Sequence, residues 1–144
     1  MQRAVALAID DTHLQRWVTA AMAGLSGEVT LRLVGAEESA TLNDRYRGNA
    51  KPTNVLAFPA EPLPMELADD WLPLGDLVLC VPVIAREASD QGKTLEAHWA
   101  HMLIHGCLHL RGFDHATTAE AEAMEAEEAN LMSVLGFADP YREQ

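Results

Sequence analysis

"TLEAHWAHMLIHGCLHLRGFDH", from Thr94 to His115, decides how the remainder of this 144-residue chain is read. Thr94 is placed to cap a helix and Gly112 to end it, so the stretch predicts a helix over 94–111 and then a turn. His105 and His109 are four residues apart, which on a helix is about 40° around the axis and one turn along it. Their imidazoles project from one side and can converge on a single ion. Gly112 can take the left-handed conformation that turns the chain, Phe113 and Asp114 carry it round, and His115 returns as a third ligand. Three neutral nitrogens leave one coordination position open, as in catalytic rather than structural zinc sites. The alternative is a set of histidines used only for packing and capping. Cys107 does not complete the ligand set, because it lies about 200° round the helix from His105. It reads as a small buried hydrophobe. His98 and His101 share the angular sector of His105, but His98 sits about 10 Å further along the axis, too far to join it. Both read as hydrogen-bonding histidines, or as groups lining a cleft.

Gly106 narrows the chemistry. In His-Glu-x-x-His proteases the glutamate beside the first histidine takes the proton of the zinc-bound water and hands it to the leaving amine. A glycine does neither. Peptide hydrolysis depends on that proton more than phosphodiester cleavage does, which asks instead for positive charge around the equatorial oxygens. Arg45, Arg47 and Lys51 cluster in one short segment, and a guanidinium can clamp a phosphate through two parallel hydrogen bonds.

At 15.7 kDa, with 49% hydrophobic and 22% charged residues, the chain is expected to form one domain over residues 1–144. No apolar run approaches the roughly 18 residues that would cross a bilayer. The start, "MQRAVALAIDD", runs into two aspartates and does not read as a signal peptide. Two cysteines, Cys80 and Cys107, make no disulfide framework, so a reduced cytoplasmic protein is expected. The formal net charge of −12 argues against broad, non-specific nucleic-acid binding. Between Asp114 and Asp139 there is no lysine or arginine, while Glu120, Glu122, Glu125, Glu127 and Glu128 accumulate. That run reads as a solvated helix face, or as a docking surface for a basic partner.

Outward from the central helix, "RAVALAI" (3–9) and the alternating "EVTLRLV" (28–34) read as strands, with a helix over 11–25 between them. A short helix over 37–47 follows, then strands "TNVLAF" (53–58) and "GDLVLCV" (75–81), separated by a proline-rich loop over 59–73. Pro82 opens a helix over 82–92. Thr117-x-x-Glu120 forms a capping box for a last helix over 117–136, whose apolar stripe includes Met124, Leu131 and Leu135. The sum is an α+β domain, a small mixed sheet of about four strands packed with about five helices.

With these residues assembled, the chain resembles the YbeY family, bacterial metal-dependent endoribonucleases of ribosomal RNA maturation. The resemblance is carried by "LNDRYRGNAKPTNVLAFP" (42–59), "LGDLVLC" (74–80) and "AHWAHMLIHGCLHLRGFDH" (97–115). It implies one zinc ion held in a cleft by His105, His109 and His115, with Arg47 meeting RNA phosphate. It further implies action on small-subunit ribosomal RNA and in ribosome quality control. The implied partners are single-stranded RNA, ribosomal proteins and a ribosome-associated GTPase. Either a zinc-activated water or the RNA's own 2′-hydroxyl would attack phosphorus. Asp76 or Asp114 could orient a ligand histidine, although each also reads as a turn or loop acid. The contrasting expectation is a zinc-stabilised ribosome assembly factor with little intrinsic catalysis, whose acidity suits docking to basic ribosomal proteins. A metalloprotease rests on the histidine spacing alone. Such a histidine set also accepts nickel, cobalt or copper.

Overall fold

The computed structural model of the protein describes residues 2–3, 7, 9–23, 25, 27–60 and 73–141. In chain order these form β1 (Gln2–Arg3), α1 (Asp11–Ala21), β2 (Glu28–Val34), α2 (Ala36–Arg47), β3 (Val55–Pro59), β4 (Pro73–Cys80), α3 (Val81–Asp90), α4 (Leu95–Leu110) and α5 (Thr118–Val134). Of the strand expected over 3–9, Arg3 lies in β1 while residues 4–6 and 8 lie outside the described residues, as does most of the loop expected over 59–73. The remaining elements match the sequence reading, with ends shifted by a few residues.

The sheet runs in the order β1-β2-β4-β3, with β1, β2 and β4 parallel and β3 antiparallel to β4 at the edge. Because successive strand residues face opposite sides, each strand splits its apolar residues between two layers. Leu31, Leu33, Val55, Leu77 and Leu79 point into the main core with α1, α3, α4 and α5. Val34, Leu56, Val78 and Cys80 point the other way, into a smaller cluster closed by Leu42 of α2.

Helix α4 is the axis of the main core. Ten of its sixteen residues are buried, so it lacks the polar face of a surface helix. Thr94 Oγ1 accepts from the Ala97 N–H at 3.1 Å, capping its start. At its end Gly112 has φ +96°, the Phe113 N–H donates to Leu108 O at 2.9 Å, and the Gly112 N–H donates to His109 O at 3.1 Å. This is a Schellman turn, and it brings the chain back past the helix end as the glycine led one to expect.

Gly106 has a packing role that its spacing did not disclose. A Cβ built there would meet Leu77 Cδ2 at 2.8 Å and Val55 Cγ2 at 3.1 Å. The glycine lets α4 lie directly against β3 and β4, which sets the histidines of the helix beside the sheet edge.

Candidate metal centre and its cleft

His105 and His109 come from the last turns of α4, and His115 from the chain just beyond the Gly112 turn. One ring nitrogen from each of the three lies within 4.8 Å of the others. His105 Nε2 and His109 Nε2 face each other at 3.2 Å. The His115 ring centroid is 5.9 Å from that of His105 and 5.2 Å from that of His109. Burial pushes the His109 imidazole below the usual histidine range, and charge on His105 or His115 would push it the same way. A metal ligand must be a neutral imidazole, so the environment favours the form that coordinates. Three convergent nitrogens within 4.8 Å of one another fit a shared divalent cation.

The histidines open onto a cleft of about 440 Å³, whose opposite wall is made by Arg47, Thr53, Asn54 and Val55. Arg47 ends α2, which stops at Gly48 in the left-handed conformation with φ +68°. Its side chain is exposed and makes no hydrogen bond or ion pair among the described residues. The structure therefore brings Arg47 to the histidines but separates it from its sequence neighbours. The Arg45 guanidinium lies over the Tyr46 ring, 5.7 Å from its centroid. Lys51 lines a different groove, with Pro82 and Arg86.

Other expectations are corrected. Asp76 precedes Leu77 on β4 and so belongs to the face of Val78 and Cys80, turned away from α4 and exposed to solvent. It cannot orient a ligand histidine. Asp114 does border the cleft, but its Oδ1 accepts from the His115 backbone N–H at 2.8 Å, and it holds no imidazole. The acidic run is not uniformly solvated either. Glu120, Glu122 and Glu125 are exposed, whereas the Glu128 side chain is 0% exposed.

Glu128 takes the position expected for Asp76. Its Oε1 accepts from His105 Nδ1 at 2.5 Å, and its Oε2 accepts from His101 Nε2 at 3.1 Å and from the Tyr141 hydroxyl. Burial alone would raise this carboxyl, but the hydrogen bonds from His101, His105 and Tyr141 together outweigh it and hold the group down at about 2. Spacing could have found it: Met124, Glu128, Leu131 and Leu135 form one helical stripe, and an acid set into an apolar stripe needs a buried partner. Tyr141 left no comparable signal.

His98 is a fastener between elements, not a cleft residue. It is 2% exposed, and its Nε2 donates to Glu87 Oε1 at 3.0 Å. Glu87 also accepts from Asn54 Nδ2 at 3.2 Å, which pins α3 and α4 to the start of β3. Cys107 is fully buried, and burial pushes its thiol up to about 12, as a small core hydrophobe requires.

A family model described as "Endoribonuclease YbeY" matches residues 2–136. A protein named Endoribonuclease YbeY from Stutzerimonas stutzeri is 57% identical over 132 residues, covering 90% of this chain and 81% of its own length. One of the same name from Methylococcus capsulatus is 50% identical, covering 99% of this chain and 94% of its own. The solution structure of a Thermotoga maritima protein shares the fold, with a TM-score of 0.54 and 23% identity over 99% of this chain and 100% of that one. No helix among the described residues is long and apolar enough to cross a membrane.

Proposed function

We propose that this chain, which belongs to the YbeY family of endoribonucleases, is a metal-dependent endoribonuclease that cuts single-stranded RNA in small-subunit ribosomal RNA maturation and ribosome quality control. The observation that carries the reading is the convergence of three imidazoles and one unpaired guanidinium on the same cleft. His105, His109 and His115 hold one zinc ion, which supplies Lewis-acid polarisation of a phosphoryl oxygen and of water when bound. Arg47 binds the non-bridging phosphate oxygens and holds phosphorus against that site while negative charge builds on it. Asn54 directs both its amide contacts inward, to Glu87 and to the Val55 N–H, and so shapes the wall without adding charge. Gly106 carries no side chain between the histidines and β3, so the base that proteases use is absent and α4 can lie against the sheet.

The reaction occupies a single domain over residues 1–144 in the cytoplasm. Its partners are ribosomal RNA, proteins of the small subunit and a ribosome-associated GTPase. The exposed Glu120, Glu122 and Glu125 on α5 suit docking to basic ribosomal proteins, while the RNA enters from the side of Arg47. That acidic face also favours the second reading, an assembly factor with little catalysis. A defined single-stranded RNA, incubated with zinc-loaded protein, separates the two. His109→Ala is expected to abolish cleavage, and Arg47→Ala to lower kcat/KM about a hundredfold, the scale of losing one donor to a developing oxyanion. A 2′,3′-cyclic phosphate product would identify the 2′-hydroxyl as nucleophile. Cleavage that survives His109→Ala, or full ribosome maturation in cells carrying a folded His105→Ala protein, would sink the catalytic reading.

A further inference from the structure

We infer that Tyr141 and Glu128 form a positioning relay that sets which nitrogen of His105 faces the cleft, and thereby tie the C-terminal segment to metal affinity. The inference rests on the metal reading of the three histidines. A carboxylate oxygen 2.5 Å from His105 Nδ1 requires the proton on that nitrogen, which leaves Nε2 as a lone pair. Nε2 is also the nitrogen that meets His109. The relay thus presents the His105 Nε2 lone pair before any ion arrives, as a partner carboxylate does in other histidine metal sites.

Glu128 can do this only while its second oxygen is satisfied. The group is fully buried, and a buried carboxylate oxygen keeps its place only where donors meet it. Two donors converge on Oε2, His101 from α4 and Tyr141 from beyond α5. His101 turns Nε2 toward this oxygen and toward the Tyr141 hydroxyl 3.3 Å away, and its buried Nδ1 has no partner among the described residues, so its orientation is set by Glu128 and Tyr141. The Tyr141 ring stands edge-on to His101, with centroids 5.4 Å apart and planes at 87°.

The segment carrying Tyr141 is itself tied down. Phe137 N–H donates to Met132 O at 2.8 Å, Lys93 Nζ donates to Pro140 O at 3.1 Å, and Tyr141 N–H donates to Asp139 Oδ1 at 2.9 Å. Contacts therefore run from the loop before α4, through the C-terminal segment, to a ligand near the far end of the same helix. Tyr141 remains 46% exposed, so the clamp is held from the surface.

The test uses the full chain in two states and no RNA. Nitrogen chemical shifts of metal-free protein report the His105 tautomer, and competition with a chromophoric chelator reports zinc affinity. Wild type is expected to carry the His105 proton on Nδ1. Glu128→Gln should raise the zinc Kd about 10- to 100-fold, the usual effect of losing a partner to a ligand histidine. Tyr141→Phe, which leaves every ligand and Glu128 in place, should raise it several-fold and shift the His105 ring nitrogens. Urea midpoints confirm that each variant folds, and if Glu128→Gln does not, Tyr141→Phe decides alone. A Tyr141→Phe protein with zinc affinity within twofold of wild type and unmoved His105 shifts would overturn the relay, as would an Nε2-protonated His105 in wild type. Protein that shows both expected effects yet cleaves no RNA would refute the proposed function and leave the relay standing.

Discussion

Gly106→Ala sets two known effects against each other, and the geometry decides the sign. Replacing a mid-helix glycine with alanine normally stabilises a helix by about 1 kcal/mol. Here the new methyl would stand 2.8 Å from Leu77 Cδ2 and 3.1 Å from Val55 Cγ2, inside ordinary contact distance. Leu77 is 0% exposed and packed in the main core, while Val55 is 6% exposed and borders the cleft, so Leu77 in particular gives way only by disturbing its neighbours. Val55 is also β-branched and stiff about its first torsion. Over-packing of this kind costs about 1–3 kcal/mol. The net expectation is a loss of about 1 kcal/mol, with α4 pushed off the sheet by a few tenths of an ångström and the ligand histidines carried with it. Urea unfolding of metal-free protein measures the first effect, and chelator competition for zinc measures the second. Gly106→Glu, which recreates the protease spacing, adds a longer chain at the same contact and should be destabilised further, by more than about 3 kcal/mol. A Gly106→Ala protein that is more stable than wild type by about 1 kcal/mol, the bare helix-propensity gain, would refute the reasoning, because the close approach of α4 to Leu77 and Val55 would then not limit the site.

Acid should destabilise the fold in part through His98. Burial lowers its pKa, so below the ordinary histidine value of about 6.5 the unfolded chain binds a proton that the native state refuses. Stability attributable to this group is complete above that pH and lost as pH falls through it. His98→Gln, which keeps a donor for Glu87, should show a smaller drop in urea midpoint between pH 7.5 and 5.5 than wild type, and an equal drop would count against the assignment. Asp76→Asn should leave zinc affinity and RNA cleavage within twofold of wild type, since its side chain lies on the far face of the sheet; a tenfold loss would contradict that placement. Cys107, fully buried with its thiol pushed up to about 12, should resist thiol reagents in native buffer and react at the rate of global unfolding. Rapid labelling of folded protein would show that α4 opens locally.

What could be read from the chain alone was whatever repeats within a helical turn or a strand. The four-residue step from His105 to His109, the Thr94 cap and the Gly112 stop are all local, and local backbone geometry is enough to place the three imidazoles together. Alternation in "EVTLRLV" likewise announced which side of β2 is buried. Arg47 was legible as a candidate, but Lys51 stood equally well beside it; only the end of α2 at Gly48 and the path into β3 send one to the cleft and the other to a separate groove. Asp76 and Glu128 exchanged roles for a related reason. One is a strand residue whose face depends on register with its neighbours, and the other is a helix residue whose burial depends on what α5 packs against. Spacing fixes neighbours along an element, whereas contacts such as Glu128 with His105 and Tyr141 arise only when separate elements close around a buried charge that needs donors.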